Sequence, residues 1–139
     1  MNNYVVGFLF STDENPIVTL IKKERPEWQK GLWNGVGGHI EQDENPIQAM
    51  IREFTEETGL LVREWKNFIT INYENCIVWF FMAKRSSDFV LRARTITDEK
   101  IMFFNIKNLP ETIPNLHWLI PLALDPYIGF TQSWQQELR

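Results

Sequence analysis

The hydrophobic pattern of the chain changes period along its length, and the changes mark out strands and two helices. Residues 4–10 are apolar and β-prone, 11–16 carry turn chemistry ending on Pro16, and 17–21 resume an apolar run, which predicts a hairpin. At 46–58 the apolar positions shift to steps of three and four. There Ile47, Met50, Ile51, Phe54 and Thr58 predict a single helix stripe facing a core. Asn45 before Pro46 reads as an N-cap with proline at the first helical position, and Gly59 stands just past the end. Residues 68–73 and 76–83 predict two further strands around a Glu74-Asn75 turn, and 101–104 another with an acidic entrance. Residues 85–94 read as polar and irregular. A second helix is predicted over 116–124, started or interrupted by Pro121, and 128–131 offers an edge strand.

Length and composition then bound the class. A chain of 139 residues, 44% hydrophobic and 14% aromatic, suits one domain over 1–139 with a proper core. A net charge of −4 argues against duplex nucleic acid as a partner, because duplex binding usually needs a basic surface. A nucleotide reached through a metal remains compatible. The single cysteine, Cys76, excludes an internal disulfide, and its apolar neighbours Ile77, Val78 and Trp79 predict a buried, inert thiol. With no signal peptide and no long apolar run, the expectation is a cytoplasmic protein without a membrane partner, either a monomer or a homodimer.

The chemistry concentrates in residues 37–60. On the predicted helix, Glu53, Glu56 and Glu57 fall within about a third of the circumference, read as the face opposite the apolar stripe. Arg52 precedes Glu56 by one turn and can pair with it, leaving Glu53 and Glu57 free. A solvated acidic face is the plain alternative. Against it, the carboxylates bunch toward the helix C-terminus, where the macrodipole penalises negative charge. Moreover, Gly37 and Gly38 precede the helix in what reads as a turn that lets backbone approach a ligand closely. Oxygen donors at this density suit Mg²⁺, with Mn²⁺ as an alternative.

Gly38, five residues, Glu44, seven residues, then Arg52-Glu53-Phe54-Thr55-Glu56-Glu57-Thr58-Gly59-Leu60 resembles the Nudix box of the MutT-type pyrophosphohydrolases. The one departure is Phe54, where that motif usually carries Ile, Leu or Val, and it concerns packing rather than chemistry. The resemblance implies an α/β (α+β) Nudix fold, a mixed sheet sandwiched between helices. It also implies metal-dependent hydrolysis of a nucleoside triphosphate to the monophosphate and pyrophosphate. Glu53, Glu56, Glu57 and Glu99 would hold the metal, with the Gly37 carbonyl as a further ligand. Arg52 would orient Glu56, and Glu99 or a box glutamate would take a proton from water.

Five positions are candidate substrate contacts. Lys23 lies in a basic run that reads equally as a solvated loop or a phosphate contact. Asn34, in Trp33-Asn34-Gly35-Val36-Gly37-Gly38, resembles the base-reading asparagine of the branch of the family that cleaves oxidised purine nucleotides. Gly38 is included for close backbone approach. Trp118 could stack on a base, although its apolar neighbours favour covering the sheet. Where that branch uses paired aspartates, this chain has Asn115 and Leu116; an amide can still read a base edge and a leucine cannot, which puts specificity for 8-oxo-purines in doubt. The alternatives are a nucleoside diphosphate linked to another moiety, such as ADP-ribose or a dinucleoside polyphosphate, and a non-catalytic nucleotide sensor. ADP-ribose is disfavoured because no proline lies between Pro46 and Pro110, where the ADP-ribose subgroup tends to carry one. The sensor is disfavoured because the box glutamates are all present.

Overall fold

The computed structural model describes residues 2–128. A mixed sheet is organised around β1 (Asn2–Ser11), which runs parallel to β6 (Cys76–Arg85) from Asn2 opposite Cys76 to Ser11 opposite Arg85. On its other edge β1 pairs antiparallel with β4 (Val36–His39) along Tyr4 to Gly7, and with β2 (Ile17–Lys22) at Phe10. β2 in turn carries β3 (Trp33–Asn34) and β7 (Ile101–Asn105), both antiparallel. β5 (Lys66–Asn72) closes a hairpin with β6.

Because β1 is covered on both faces, it reads as a nearly continuous apolar run. Its side chains alternate: Val5 and Leu9 join one core cluster, Phe8 and Phe10 the other. Helix α1 (Pro46–Thr58) fills the first with Ala49, Met50 and Phe54, and α3 (Leu116–Leu124) fills the second with Leu116, Leu119 and Ile120. The sheet therefore lies between two helices, as expected.

Several expectations change. Residues 85–94 are not irregular: Ser86 caps α2 (Ser87–Val90) by accepting from Phe89 N at 3.3 Å, and Val90 and Ala93 reach the core. The apolar residues Phe89, Val90, Leu91 and Ala93 sit among serines and arginines, which hides the turn of helix from a reading of period. Pro121 neither starts nor stops α3, which begins at Leu116 and continues through it to Leu124. Cys76, at the start of β6, is half-buried rather than buried. The 128–131 strand lies outside the described residues beyond Ile128. Among the described residues, no helix is long and apolar enough to cross a membrane.

Candidate active site

Helix α1 forms where the sequence places its signals. Asn45 accepts from Gln48 N and Gln48 returns the bond to Asn45 N, each at 2.9 Å, while Gly59 ends the helix in the left-handed region at φ 79°. The orientation of the helix differs from the expected one. Ile47 is exposed, whereas Ala49 is fully buried beside Met50 and Phe54, so the buried arc is turned toward Glu53 and Glu57. At about 100° per residue, those two glutamates share that arc with Ala49 and Met50 instead of lying opposite it. A stripe read from large apolar side chains gives Ala49 little weight, and its full burial turns the helix. The consequence is that the carboxylates are aimed at the sheet rather than into bulk solvent.

What receives them is β4, and here the glycines have a different role from the predicted turn. Gly37 and Gly38 lie in a strand, opposite Val6 and Val5. A Cβ on Gly37 would stand 1.8 Å from the Val5 carbonyl oxygen, and one on Gly38 would stand 2.5 Å from the Glu53 carboxylate. The absent side chains let β4 close on β1 and let Glu53 press against the strand.

Arg52 is the hub of the cluster. Its Nε and Nη2 donate to the two Glu44 oxygens at 2.6 and 2.9 Å, and Nη2 also donates to the His39 carbonyl at 2.9 Å. Its Nη1 donates to Glu53 Oε2 at 2.9 Å and to Glu56 Oε1 at 3.1 Å. Glu53 is thus not free, and Glu44, eight residues away, is the principal partner. Helical spacing cannot reveal Glu44, because it precedes the helix and returns to it through the loop.

A second group faces the C-terminal end of α1. Thr97 Oγ1 donates to Glu57 Oε2 at 2.9 Å. Glu99, 5% exposed at the entrance to β7, accepts from Lys23 Nζ at 3.3 Å and from Glu24 N at 2.6 Å. The neighbouring Arg25 and Asp98 form an ion pair outside it. The structure therefore brings Lys23 and Glu99 together with the box carboxylates, although the two sets are far apart in sequence.

The electrostatics follow from this crowding. Burial pushes the Glu53 carboxyl pKa up, and Glu56 and Glu57 add to the rise while Arg52 opposes it. Burial likewise raises Glu57, joined by Glu99 and Glu56 and opposed by Thr97 and Lys23. Glu44 goes the other way, held below the ordinary carboxylate range by its hydrogen bonds from Arg52. Among the described residues, no three His, Cys, Asp or Glu side chains converge on one metal position. Each carboxylate instead faces Arg52, Lys23 or Thr97. The donor set still fits a hard divalent cation in kind, being all oxygen and enriched in negative charge, and the bond from Thr97 engages only Oε2 of Glu57.

The remaining candidates lie on β3 and α3. Asn34 lies opposite Ile21; its Oδ1 accepts from Gly35 N at 2.7 Å and its Nδ2 donates to Gln29 Oε1 at 3.4 Å. Gln29 carries no sequence signal and was missed. The chain entering α3 hydrogen-bonds to the same strand, with Trp33 N donating to Glu111 O and Ile113 N to Trp33 O, both at 3.0 Å. Asn115, at the start of α3, has a buried Oδ1 with no hydrogen-bond partner. Trp118 is 47% exposed and does not cover the sheet, a task that falls to Leu119 and Ile120. The His39 ring lies tilted at 47° against that of Tyr4, with centroids 4.4 Å apart. A depression of about 1000 Å³, lined by Trp65, Trp79 and Asp125 among others, takes in none of these residues.

Comparison with known proteins gives the same frame. The family model for the NUDIX domain matches residues 1–121. The chain is 23% identical over 117 residues to an 8-oxo-dGTP diphosphatase of Buchnera aphidicola from Schizaphis graminum, covering 83% of this chain and 88% of that protein. Among solved structures, the NUDIX domain of Shewanella oneidensis NrtR complexed with ADP ribose superposes with a TM-score of 0.71 at 20% identity, over 87% of this chain and 84% of that one. MutT from Aliivibrio salmonicida and Vibrio cholerae gives 0.68 at 23%, over 88% and 96%. At these identities the structural likeness concerns the fold.

Proposed function

The chain belongs to the NUDIX domain family, and on that premise we propose that it is a divalent-metal-dependent pyrophosphohydrolase cleaving a nucleoside triphosphate to the monophosphate and pyrophosphate. The observation that supports this reading is the placement of Glu53 against Gly38 and of Glu57 against Thr97, whose hydroxyl also bonds the backbone of Glu99, the partner of Lys23. The substrate class rests on the similarity to the Buchnera enzyme, and oxidised purine nucleotides are included within it.

Glu53, Glu56, Glu57, Glu99 and the Gly37 carbonyl are the proposed ligands of Mg²⁺ or Mn²⁺. When bound, such an ion neutralises phosphate charge and acidifies a water. Arg52 holds Glu53 and Glu56 in place. Lys23, once released from Glu99, pairs with a phosphate oxygen. Water adds across one P–O–P linkage: its oxygen bonds to phosphorus, the bridging bond breaks, and a carboxylate takes the proton. Glu99 or one of the box glutamates is the proposed acceptor of that proton. Asn34, Asn115 and Trp118 form the proposed base-contacting group.

Incubation with each nucleoside triphosphate and Mg²⁺ should release pyrophosphate, and EDTA should stop it. Release of orthophosphate, or no release from any triphosphate, would overturn the reading. A second reading, cleavage of a nucleoside diphosphate linked to another moiety, is favoured by the ADP-ribose-bound neighbour and is decided by including ADP-ribose in the panel. The proposed partner is a nucleotide in the cytoplasmic pool rather than a duplex, given the net charge of −4. NrtR has also been solved with a 27mer DNA, so a duplex gel shift belongs beside the assay.

A further inference from the structure

We propose that Thr97 is a positioning residue that ties the Glu57 carboxylate to the loop carrying Glu99, through a hydroxyl that bonds to both. The inference rests on the hydrolase reading above and adds to it a residue outside the box. Thr97 Oγ1 lies 2.9 Å from Glu57 Oε2 and 3.2 Å from Glu99 N. The directions of both bonds are fixed by chemistry. An ionised carboxylate only accepts and a backbone N–H only donates, so the hydroxyl proton goes to Glu57 and a lone pair receives Glu99 N. The two bonds are compatible at one atom, and together they bridge helix α1 to the entrance of β7 across 40 residues of sequence.

This bridge selects one arrangement of a charged cluster that would otherwise spread. Glu57 and Glu99 repel each other, and Glu57 lies at the helix end where the macrodipole is also unfavourable. Thr97 occupies one Glu57 oxygen, Oε2, and leaves Oε1 available. The same hydroxyl sets the turn that presents the Glu99 side chain to Lys23 Nζ and Glu24 N. Thr97 itself is exposed and supports no core packing, so its contribution is orientation.

The test compares Thr97→Val, which keeps the shape and removes the hydroxyl, with Thr97→Ser, which keeps the hydroxyl. Mn²⁺ binding to the full chain is followed by electron paramagnetic resonance without substrate, alongside kcat and KM for a nucleoside triphosphate. Thr97→Val should weaken Mn²⁺ binding and lower kcat, each about tenfold, as loss of a supporting hydrogen bond to a ligand does, with KM for nucleotide within about twofold. Thr97→Ser should restore both. Parental Mn²⁺ affinity in Thr97→Val, or an equal loss in Thr97→Ser, overturns the proposal. If the parental protein hydrolyses no triphosphate, the functional reading fails while the Mn²⁺ titration still decides the role of Thr97.

Discussion

Arg52 grips Glu44 with two parallel hydrogen bonds, at 2.6 and 2.9 Å, across a loop rather than along a helix. Planar fork-to-carboxylate pairing of this kind is strong and directional, and it fixes the guanidinium from which Glu53 and Glu56 are then held. Glu44→Gln should therefore do more than remove a surface charge. A loss of about 2 kcal/mol is expected at pH 7, together with a drop in kcat. The Glu44 pKa is depressed in the folded state by Arg52, so its contribution is present above the ordinary glutamate pKa and fades as pH falls through the depressed value. Denaturant melts of parent and variant should converge in acid; a gap that is constant with pH would rule out the charged pair as its source.

The two adjacent glycines of β4 should fail differently when given a side chain. At Gly37 the added Cβ meets the Val5 carbonyl, which is backbone and cannot turn aside. Gly37→Ala should cost about 3 kcal/mol or more as β4 is forced from β1. At Gly38 it meets the Glu53 carboxylate, which can rotate. Gly38→Ala should stay folded within about 1 kcal/mol of the parent while turnover falls about a hundredfold, because a displaced catalytic group is costly at small distances. Thermal melts and pyrophosphate release on both variants separate the cases; equal melting temperatures would contradict the argument.

The contrast between these sites marks how far the sequence is legible. Helix α1 was readable end to end, since Asn45, Pro46 and Gly59 act locally and the structure uses each as the sequence suggests. The hairpin of β1 and β2 was readable for the same reason. Which way α1 faces was not, because Ala49 carries a weak hydrophobic signal and its burial depends on the sheet beneath. The long-range members of the site, the Glu44–Arg52 pair, the Thr97–Glu57 bond and the Lys23–Glu99 pair, are set by chain topology and have no periodicity to reveal them. Glu99 was found by resemblance, not by physics, as a strand-entrance glutamate is ordinarily solvated.

Glu57 should trade stability for function. Its pKa is raised in the folded state, chiefly by burial and then by its acidic neighbours, so folding is favoured while it is protonated and that advantage is lost as pH rises through the raised value. At pH 7.5 the ionised carboxylate is held against its preference. In EDTA, Glu57→Gln should melt at a higher temperature than the parent at pH 7.5, with the difference shrinking toward pH 4. The same variant should lose nearly all turnover, and Mg²⁺ should raise its melting temperature less than it raises the parent's. A melting temperature below the parent's at pH 7.5, or near-parental turnover, would sink the assignment.

Base choice should be divided between Asn34 and Asn115. The Asn34 amide is engaged by Gly35 N and Gln29, whereas Asn115 Oδ1 is buried with no partner, a state that costs free energy until something donates to it. A nucleobase offering an N–H at that edge satisfies the oxygen and one offering an acceptor does not. Asn115→Ala should therefore leave stability without nucleotide within about 1 kcal/mol of the parent and reduce discrimination between such bases by roughly tenfold or more. Asn34→Ala should also shift preference among bases more than it shifts turnover, through loss of the amide and release of Gln29. The check is kcat/KM for ordinary and oxidised purine and pyrimidine triphosphates on the parent and both variants. Uniform losses across all bases would assign both asparagines to structure alone and move recognition elsewhere, with exposed Trp118 the next residue to test.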